Sequence, residues 1–448
     1  MSEHGVTAEG RPAEGQAGNT RNRVILASLI GTTIEFYDFY AYATAAVLVF
    51  PALFFPGNDP TYALLASFAV FGVAFIARPV GSVLFGHFGD RIGRKGTLVA
   101  SLLTMGIATF LIGCLPTALT PGWEILAPSL LVVMRFCQGL GLGGEWSGAA
   151  LLATENAPAN KRAVWGTFPQ LGAPLGFILA NTVFILLNFS LPADAFQAWG
   201  WRIPFLASGV LVIVGLWVRL KLVETPAFQN VIEQKAVVKV SVAAAFTRSW
   251  RQILQGTLIM LATYVLFYLM TAFTLAYGTR PLESAGLGYS RNTFLFMLIG
   301  GVVFFGIFTL VSGPLAERFG RRRMLMATTA GIFVFGFLFV PLFAAGTFGV
   351  MAQLILGFTL MGLTFGPMAA VLPELFPANV RYTGSAVAYN LSSVIGAAPA
   401  PYVALWLLQL AGNTFLVGVY LSLAAAITFA MLWFTRETRD TAYAETVR

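Results

Sequence analysis

Long apolar runs separated by short polar breaks fill almost the whole chain. Twelve of them stand out, at about 24–50, 62–86, 97–117, 125–147, 165–189, 202–220, 252–276, 293–314, 324–345, 348–372, 383–410 and 412–434. A helix crosses a bilayer with roughly 20 apolar residues. In lipid only helices and closed barrels satisfy their own backbone, so the pattern predicts an all-α membrane protein with twelve transmembrane helices. One long polar segment interrupts it midway. The expected organisation is a disordered tail at 1–23, a six-helix bundle at 24–220, a linker at 221–251, a second six-helix bundle at 252–435 and a tail at 436–448.

Composition agrees: 57% of residues are apolar and 10% charged, against about 25% charged in soluble domains, and mean hydropathy is +0.78. The net charge of +8 could suggest nucleic acid, but topology accounts for it and no nucleic-acid partner is expected. One set of loops and tails holds 22 Lys and Arg; the other set holds Arg202, Arg280 and Arg291, with Arg78 and Arg135 inside spans. Positive residues stay cytoplasmic, so both termini and the linker are expected there. The start lacks a signal-peptide pattern, which makes the first run a retained span. Cys114 and Cys137 fall in apolar runs, which argues against a disulfide framework. Metal-ligand, nucleophile-elbow and Walker patterns are missing. No catalytic residue, metal or cofactor is therefore expected.

Two motifs recur. Gly-His-Phe-Gly-Asp-Arg-Ile-Gly-Arg-Lys (86–95) returns as Gly-Pro-Leu-Ala-Glu-Arg-Phe-Gly-Arg-Arg (313–322). Glu-Asn-Ala-Pro-Ala-Asn-Lys-Arg (155–162) returns as Glu-Leu-Phe-Pro-Ala-Asn-Val-Arg (374–381). Each pair lies six spans apart, implying a duplicated six-helix bundle of the parallel-repeat kind.

These motifs resemble the major facilitator superfamily. Ile-Glu-Phe-Tyr-Asp-Phe-Tyr (34–40), Ala-Arg-Pro-Val-Gly (77–81) and Arg-Phe-Cys-Gln-Gly-Leu-Gly-Leu-Gly-Gly-Glu-Trp (135–146) narrow the resemblance to its metabolite:H+ symporter family, as does Pro-Glu-Leu-Phe-Pro-Ala-Asn-Val-Arg-Tyr-Thr-Gly (373–384). The resemblance implies two pseudo-symmetric bundles and proton-coupled import of a small organic acid or zwitterion, such as a dicarboxylate, a shikimate-like acid or a betaine. It implies a monomer in the plasma membrane of a bacterium. Glu317 stands where the first-half motif has Asp90, so contacts in the second half need not mirror the first.

Charges inside apolar spans need a reason, since each costs roughly 2.5–3.5 kcal/mol on insertion scales. Asp38 in span 1 and Arg135 in span 4 both fall near mid-depth. Related proton-coupled sugar porters place an acid and an arginine in equivalent positions. The pair is expected to carry the proton, with a permanent structural ion pair as the alternative. Glu35 either shares the proton site or bonds a neighbouring span. Glu145, toward the cytoplasmic end of span 4, either contacts the basic belt or serves proton exit. Arg78 either binds a substrate carboxylate or neutralises a buried acid.

The apolar runs of the second half contain no Asp, Glu, Lys or Arg. Neutral groups there must supply substrate contacts, and Tyr264, Tyr268, Tyr389 and Asn390 are candidates, joined by Tyr37, Gln138 and Gln170 from the first half. Packing or interhelical hydrogen bonding is the alternative for each. The motif loops offer Gly86, Asp90, Arg91, Gly93 and Arg94, with Glu155, Arg162, Glu317, Arg318, Arg321, Glu374 and Arg381 around the repeats. In similar transporters such a network holds the cytoplasmic gate. Competing functions on these residues are a proton-driven exporter on the same fold and a membrane receptor that moves nothing.

Overall fold

The computed structural model describes residues 21–57, 59–92, 94–220, 246–377 and 380–439. The expected tail before 21, most of the linker (221–245) and the end of the chain (440–448) lie outside these residues. So does Gly93, and of the motif side chains Asp90, Arg91 and Arg94 nothing is described. The described residues are helical with turns and contain no strand.

Eleven helical segments are long and apolar enough to cross a membrane. They match eleven of the twelve apolar runs. The remaining run forms Arg321–Phe337 and Phe339–Ala344, broken at Leu338 and hence shorter than a full crossing. Counting this pair as span 9 gives the expected twelve. Span 1 is Arg21–Leu48, span 2 Pro60–Ile92, span 3 Arg94–Cys114, span 4 Leu126–Glu155 and span 6 Ile203–Leu220. Span 8 is Arg291–Phe319, span 10 Gly346–Glu374 and span 12 Phe415–Phe434.

The other three are interrupted. Span 5 is Arg162–Gln170 followed by Gly172–Ser190, with Pro169 beside the break. Span 11 is Arg381–Ser392, a π-helical turn at Ser393–Ala397, and Ala400–Ala411 after Pro399. The prolines and glycines of both runs mark these interruptions, because Pro removes an amide donor and crowds the preceding turn. Span 7 carries a second π turn, Leu269–Phe273, between Trp250–Tyr268 and Thr274–Thr279. Neither Gly nor Pro occurs in that turn, so its sequence gives no warning of it.

With no hydrophobic driving force between helices in lipid, close backbone approach has to hold them together. Span 4 does this with glycines. A Cβ on Gly139 would lie 2.3 Å from the Ala74 carbonyl oxygen, and one on Gly143 would lie 2.2 Å from that of Arg78. Spans 2 and 4 thus touch backbone to backbone, which fixes Arg78 and Arg135 relative to each other.

The two halves meet along symmetric seams: span 2 against span 11, and span 5 against spans 8 and 10. The first glycine of each repeated motif lies on a seam. Gly86 faces Thr383 of span 11, and Gly313 faces Val164 and Thr167 of span 5. Even span number places both ends of the described chain on one face, here the terminal face; the other is the far face.

Candidate functional site

Among the described residues of the first half, six acidic or basic side chains are each at most 3% exposed: Glu35, Asp38, Arg78, Arg135, Glu145 and Arg219. Three acids thus stand with three arginines, and the buried charge sums to zero. Arg219 changes the sequence reading, which counted it with the cytoplasmic loops. It belongs inside span 6, leaving 21 basic residues on the terminal side. The missing signal was charge balance, because three acids and two arginines within the spans left one acid uncompensated.

Glu145 is ion-paired with Arg219. The guanidinium donates to Glu145 Oε2 at 3.0 Å and also to the Leu98 carbonyl, while Ser101 donates to the same carboxylate at 3.0 Å. Gly31 leaves room for Arg219; a Cβ there would lie 2.8 Å from its Nη2 and push the guanidinium aside. Glu145 therefore does contact a basic residue, but a buried one on span 6 rather than the surface belt. Breaking a buried pair from one side leaves an unmatched charge, typically costing about 3–5 kcal/mol. Glu145→Ala is expected to cut the yield of folded carrier sharply. Glu145→Gln/Arg219→Gln should recover most of it, as read by the thermal midpoint in detergent; equal loss in both variants would refute the pairing argument.

Asp38 and Arg135 do not form the direct pair expected. The Arg135 guanidinium donates to Gln138 Oε1 and lies 4.0 Å over the Tyr42 ring and 4.8 Å over that of Phe39. Gln138 then donates to Thr109 Oγ1 at 2.8 Å and to the Asp38 backbone carbonyl at 3.4 Å. The Asp38 carboxylate takes no hydrogen bond of ordinary geometry, and the hydroxyls of Ser208 and Thr109 lie beside it. Gln138 is thus a bridge between the arginine and span 1. The two expected partners share one buried layer, with the arginine held by rings and an amide.

Between the halves lies a small cavity with room for about one water molecule, lined by Arg78, Phe36, Thr263, Tyr264, Tyr268 and Tyr389 among others. Four of the expected substrate residues converge here: Arg78, Tyr264, Tyr268 and Tyr389. Arg78 stacks against Phe39 and Phe75, 5.1 and 4.9 Å from their ring centres. It makes no hydrogen bond or ion pair with a described residue, although Glu35 is within its electrostatic reach. Glu35 also feels Arg219, and so stands between the cavity and the Glu145–Arg219 pair.

The other expected lining residues do different work. Tyr37 donates to the Pro204 carbonyl at 2.8 Å, packing span 1 on span 6, and does not line the cavity. Gln138 is in the bridge just described. Gln170 accepts from Trp146 Nε1 and donates to the Phe365 carbonyl at 2.7 Å; Asn390 donates to the Gly143 carbonyl at 2.9 Å. Both therefore latch the halves together on the terminal side. Trp146 stacks flat on Tyr389 at 3.9 Å in the same layer. On the far side Tyr268 packs edge-on against Phe39, Phe71 and Phe75, and Tyr40 stacks on Phe267. Aromatic layers thus close the cavity in both directions. Phe36, Tyr40, Phe267 and Trp146 were not singled out from sequence, where aromatics in an apolar run look like ordinary packing.

At the terminal face Arg321 donates to Glu317 at 2.8 Å and to Glu374 at 3.2 Å. Glu317 also accepts the Ala163 backbone N–H at 2.7 Å, tying span 8 to span 5 across the seam. Tyr382 donates to the Gly144 carbonyl across the other seam. Arg162 lies in the electrostatic neighbourhood of Glu374, and Glu155 is half-buried on the same face. Arg381 instead donates to the Pro373 and Phe376 carbonyls, bracing the turn between spans 10 and 11. Arg318 is exposed and lies over Phe319, outside this network, contrary to the sequence expectation. Glu437, near the chain end, was missed; its carboxylate accepts the Arg321 and Arg322 amides at 2.8 and 3.1 Å. An acid at a helix N-terminus is favourable.

The family described as Sugar (and other) transporter matches residues 24–446. The chain belongs to this family, within the major facilitator superfamily. It is 55% identical, over 94% of its length and 95% of the relative, to the inner membrane metabolite transport protein YhjE of Escherichia coli K12. It is 39% identical to the shikimate transporter of the same organism, over 94% and 96%. The structure of the proton:xylose symporter XylE bound to 6-bromo-6-deoxy-D-glucose superposes with a TM-score of 0.71 at 18% identity, covering 95% and 98%, which shows a shared fold. The chain is a metabolite transporter of this superfamily; its relatives are transport proteins, not enzymes.

Proposed function

We propose that the chain is a proton symporter of a bacterial inner membrane. It imports a small carboxylate-bearing metabolite, acid or zwitterion, by alternating access. The observation that carries this reading is Arg78, a buried guanidinium without an anionic contact, at the rim of a cavity lined mostly by phenols and phenyl rings, with Met260 and Thr263. A buried cation needs a counter-charge, and a substrate carboxylate would supply it with the bidentate geometry arginine favours. Tyr264, Tyr268 and Tyr389 would then read the neutral part of the substrate.

Asp38 is the proposed proton site. Protonated, it leaves Arg135 to Gln138; deprotonated, it competes for the guanidinium, which stays charged throughout. Glu35 and Glu145 would carry the proton onward toward the terminal face, which the bias of basic residues would put in the cytoplasm. Glu317, Arg321, Glu374 and Tyr382 would form the cytoplasmic gate. The Arg321–Glu374 pair is buried in this state. Opening the gate would return both charges to water, which offsets much of the lost attraction, and a small difference between the states suffices to shift a balanced two-state equilibrium.

Purified carrier in proteoliposomes, with an imposed inward pH gradient and labelled shikimate or a small dicarboxylate panel, tests the reading. Uphill accumulation that collapses with an uncoupler is expected. Reversed gradient dependence would mean an exporter, and binding without uptake would mean a receptor.

A further inference from the structure

The far face carries three basic residues in the sequence reading, and Arg202 is occupied. It donates to the Gly113 and Leu115 carbonyls and lies over Trp201. The remaining two, Arg280 and Arg291, line one cavity of about 550 Å3 between the halves, within the usual range for small-ligand sites. Its walls are the ends of spans 1 and 7 and the starts of spans 2 and 8. Val47, Leu48 and Pro51 give it an apolar side, while Thr61, Thr279 and Ser284 give hydroxyls.

Arg280 reaches across from span 7 to donate to Thr61 Oγ1 of span 2 at 3.1 Å. Arg291 makes no hydrogen bond or ion pair with a described residue. Asp59, also on the wall, is in the electrostatic neighbourhood of Arg280. Two cations and one acid leave the cavity with a net charge of plus one, suited to a monoanion. Span 7 links it to the central cavity: Tyr268 is twelve residues before Arg280, or about 18 Å along a helix at 1.5 Å per residue. The π turn Leu269–Phe273 lies between them.

We propose that this vestibule is a second, entry-side binding site for a carboxylate, which gathers the anion before the aromatic seal of Phe39, Phe71, Phe75 and Tyr268 opens. The proposal rests on the reading that the transported metabolite bears a carboxylate. Clefts of one sign concentrate the opposite ion and raise capture rates by about 10–10³. Arg280 also bonds across the halves, so an arriving carboxylate that takes this guanidinium would release Thr61 and loosen the far-side contact.

The test uses full-length carrier with Cys114 and Cys137 changed to Ser and Ser284→Cys as the reporter. Modification rates are compared for the anionic sulfonatoethyl and the cationic trimethylammonioethyl methanethiosulfonates, with and without millimolar shikimate. The anionic-to-cationic rate ratio is expected to fall about tenfold in Arg280→Gln/Arg291→Gln and to be retained in Arg280→Lys/Arg291→Lys, which guards against misfolding. Shikimate should slow the reaction in the parent and not in the glutamine variant. Unchanged ratios, or no protection by shikimate, would overturn the site. Protection of the thiol without shikimate uptake would sink the symport reading and leave the vestibule standing; uptake without protection would do the reverse.

Discussion

Asp38→Asn is expected to abolish proton-driven accumulation while leaving counterflow exchange of substrate, if this acid carries the coupled proton as proposed. A monoanion carried with one proton moves no net charge, so only the pH gradient drives it, at about 1.4 kcal/mol or tenfold accumulation per pH unit. A zwitterion carried with one proton gains about 2.3 kcal/mol more per 100 mV. Removing the titrating group should bring the ratio to about one. Exchange survives because the asparagine still lets the fold switch between its two faces without moving a proton. The structure gives a reason to expect a tolerated variant. The carboxylate takes no ordinary hydrogen bond, and Arg135 is already held by Gln138 and the rings of Tyr42 and Phe39. The amide therefore leaves no newly broken ion pair behind. Counterflow and gradient-driven uptake measured on the same vesicles check this, and undiminished accumulation would remove Asp38 from the coupling.

Arg78→Gln is expected to raise KM for the proposed carboxylate substrate about a hundredfold. Hydrogen bonds to a charged group contribute about 1.5–3 kcal/mol, and two decades correspond to about 2.8 kcal/mol. Arg78→Lys should recover only part, since a point charge cannot reproduce the planar fork. The competing role, neutralising Glu35, predicts a different pattern. If Arg78 only compensates that acid, Arg78→Gln/Glu35→Gln would restore substrate affinity in counterflow, which needs no proton relay through Glu35, because both charges disappear together. If Arg78 holds the substrate, the double variant stays as weak as the single one. Initial rates of counterflow over a substrate series in the parent and these three variants decide between them.

Particular residues show how much the sequence discloses. The twelve apolar runs and both repeated motifs are plain, since a bilayer imposes length and polarity on every helix. Glu35, Asp38, Arg78, Arg135 and Glu145 stand out because charge in an apolar run is costly. Arg219 did not, because it falls where topology alone predicts a basic residue. Tyr37 was chosen over Tyr40 for a related reason. Lipid and neighbouring helices are equally apolar, so no amphipathic pattern marks which side of span 1 looks across to the other half. In the folded chain Phe36 and Tyr40, one turn apart, face Phe267, whereas Tyr37 turns back to Pro204. Arg135 shows the same limit: mid-depth placement was legible, but whether its fork takes a carboxylate or an amide depends on packing.

The charge asymmetry between the halves bears on how such carriers diversify. Among the described residues, the acids and arginines buried within the apolar runs belong to one bundle, while the other bundle offers the cavity Met260, Thr263, Phe267, Phe365 and three phenols. Apart from Arg78 and Phe36, which the first bundle supplies, the cavity wall can therefore drift separately from the buried charges. On the symport reading, exchanging a tyrosine of span 7 or 11 would retune the cargo without disturbing the electrostatic balance of the first bundle. A lineage can move from one nutrient to another through neutral substitutions on a single wall.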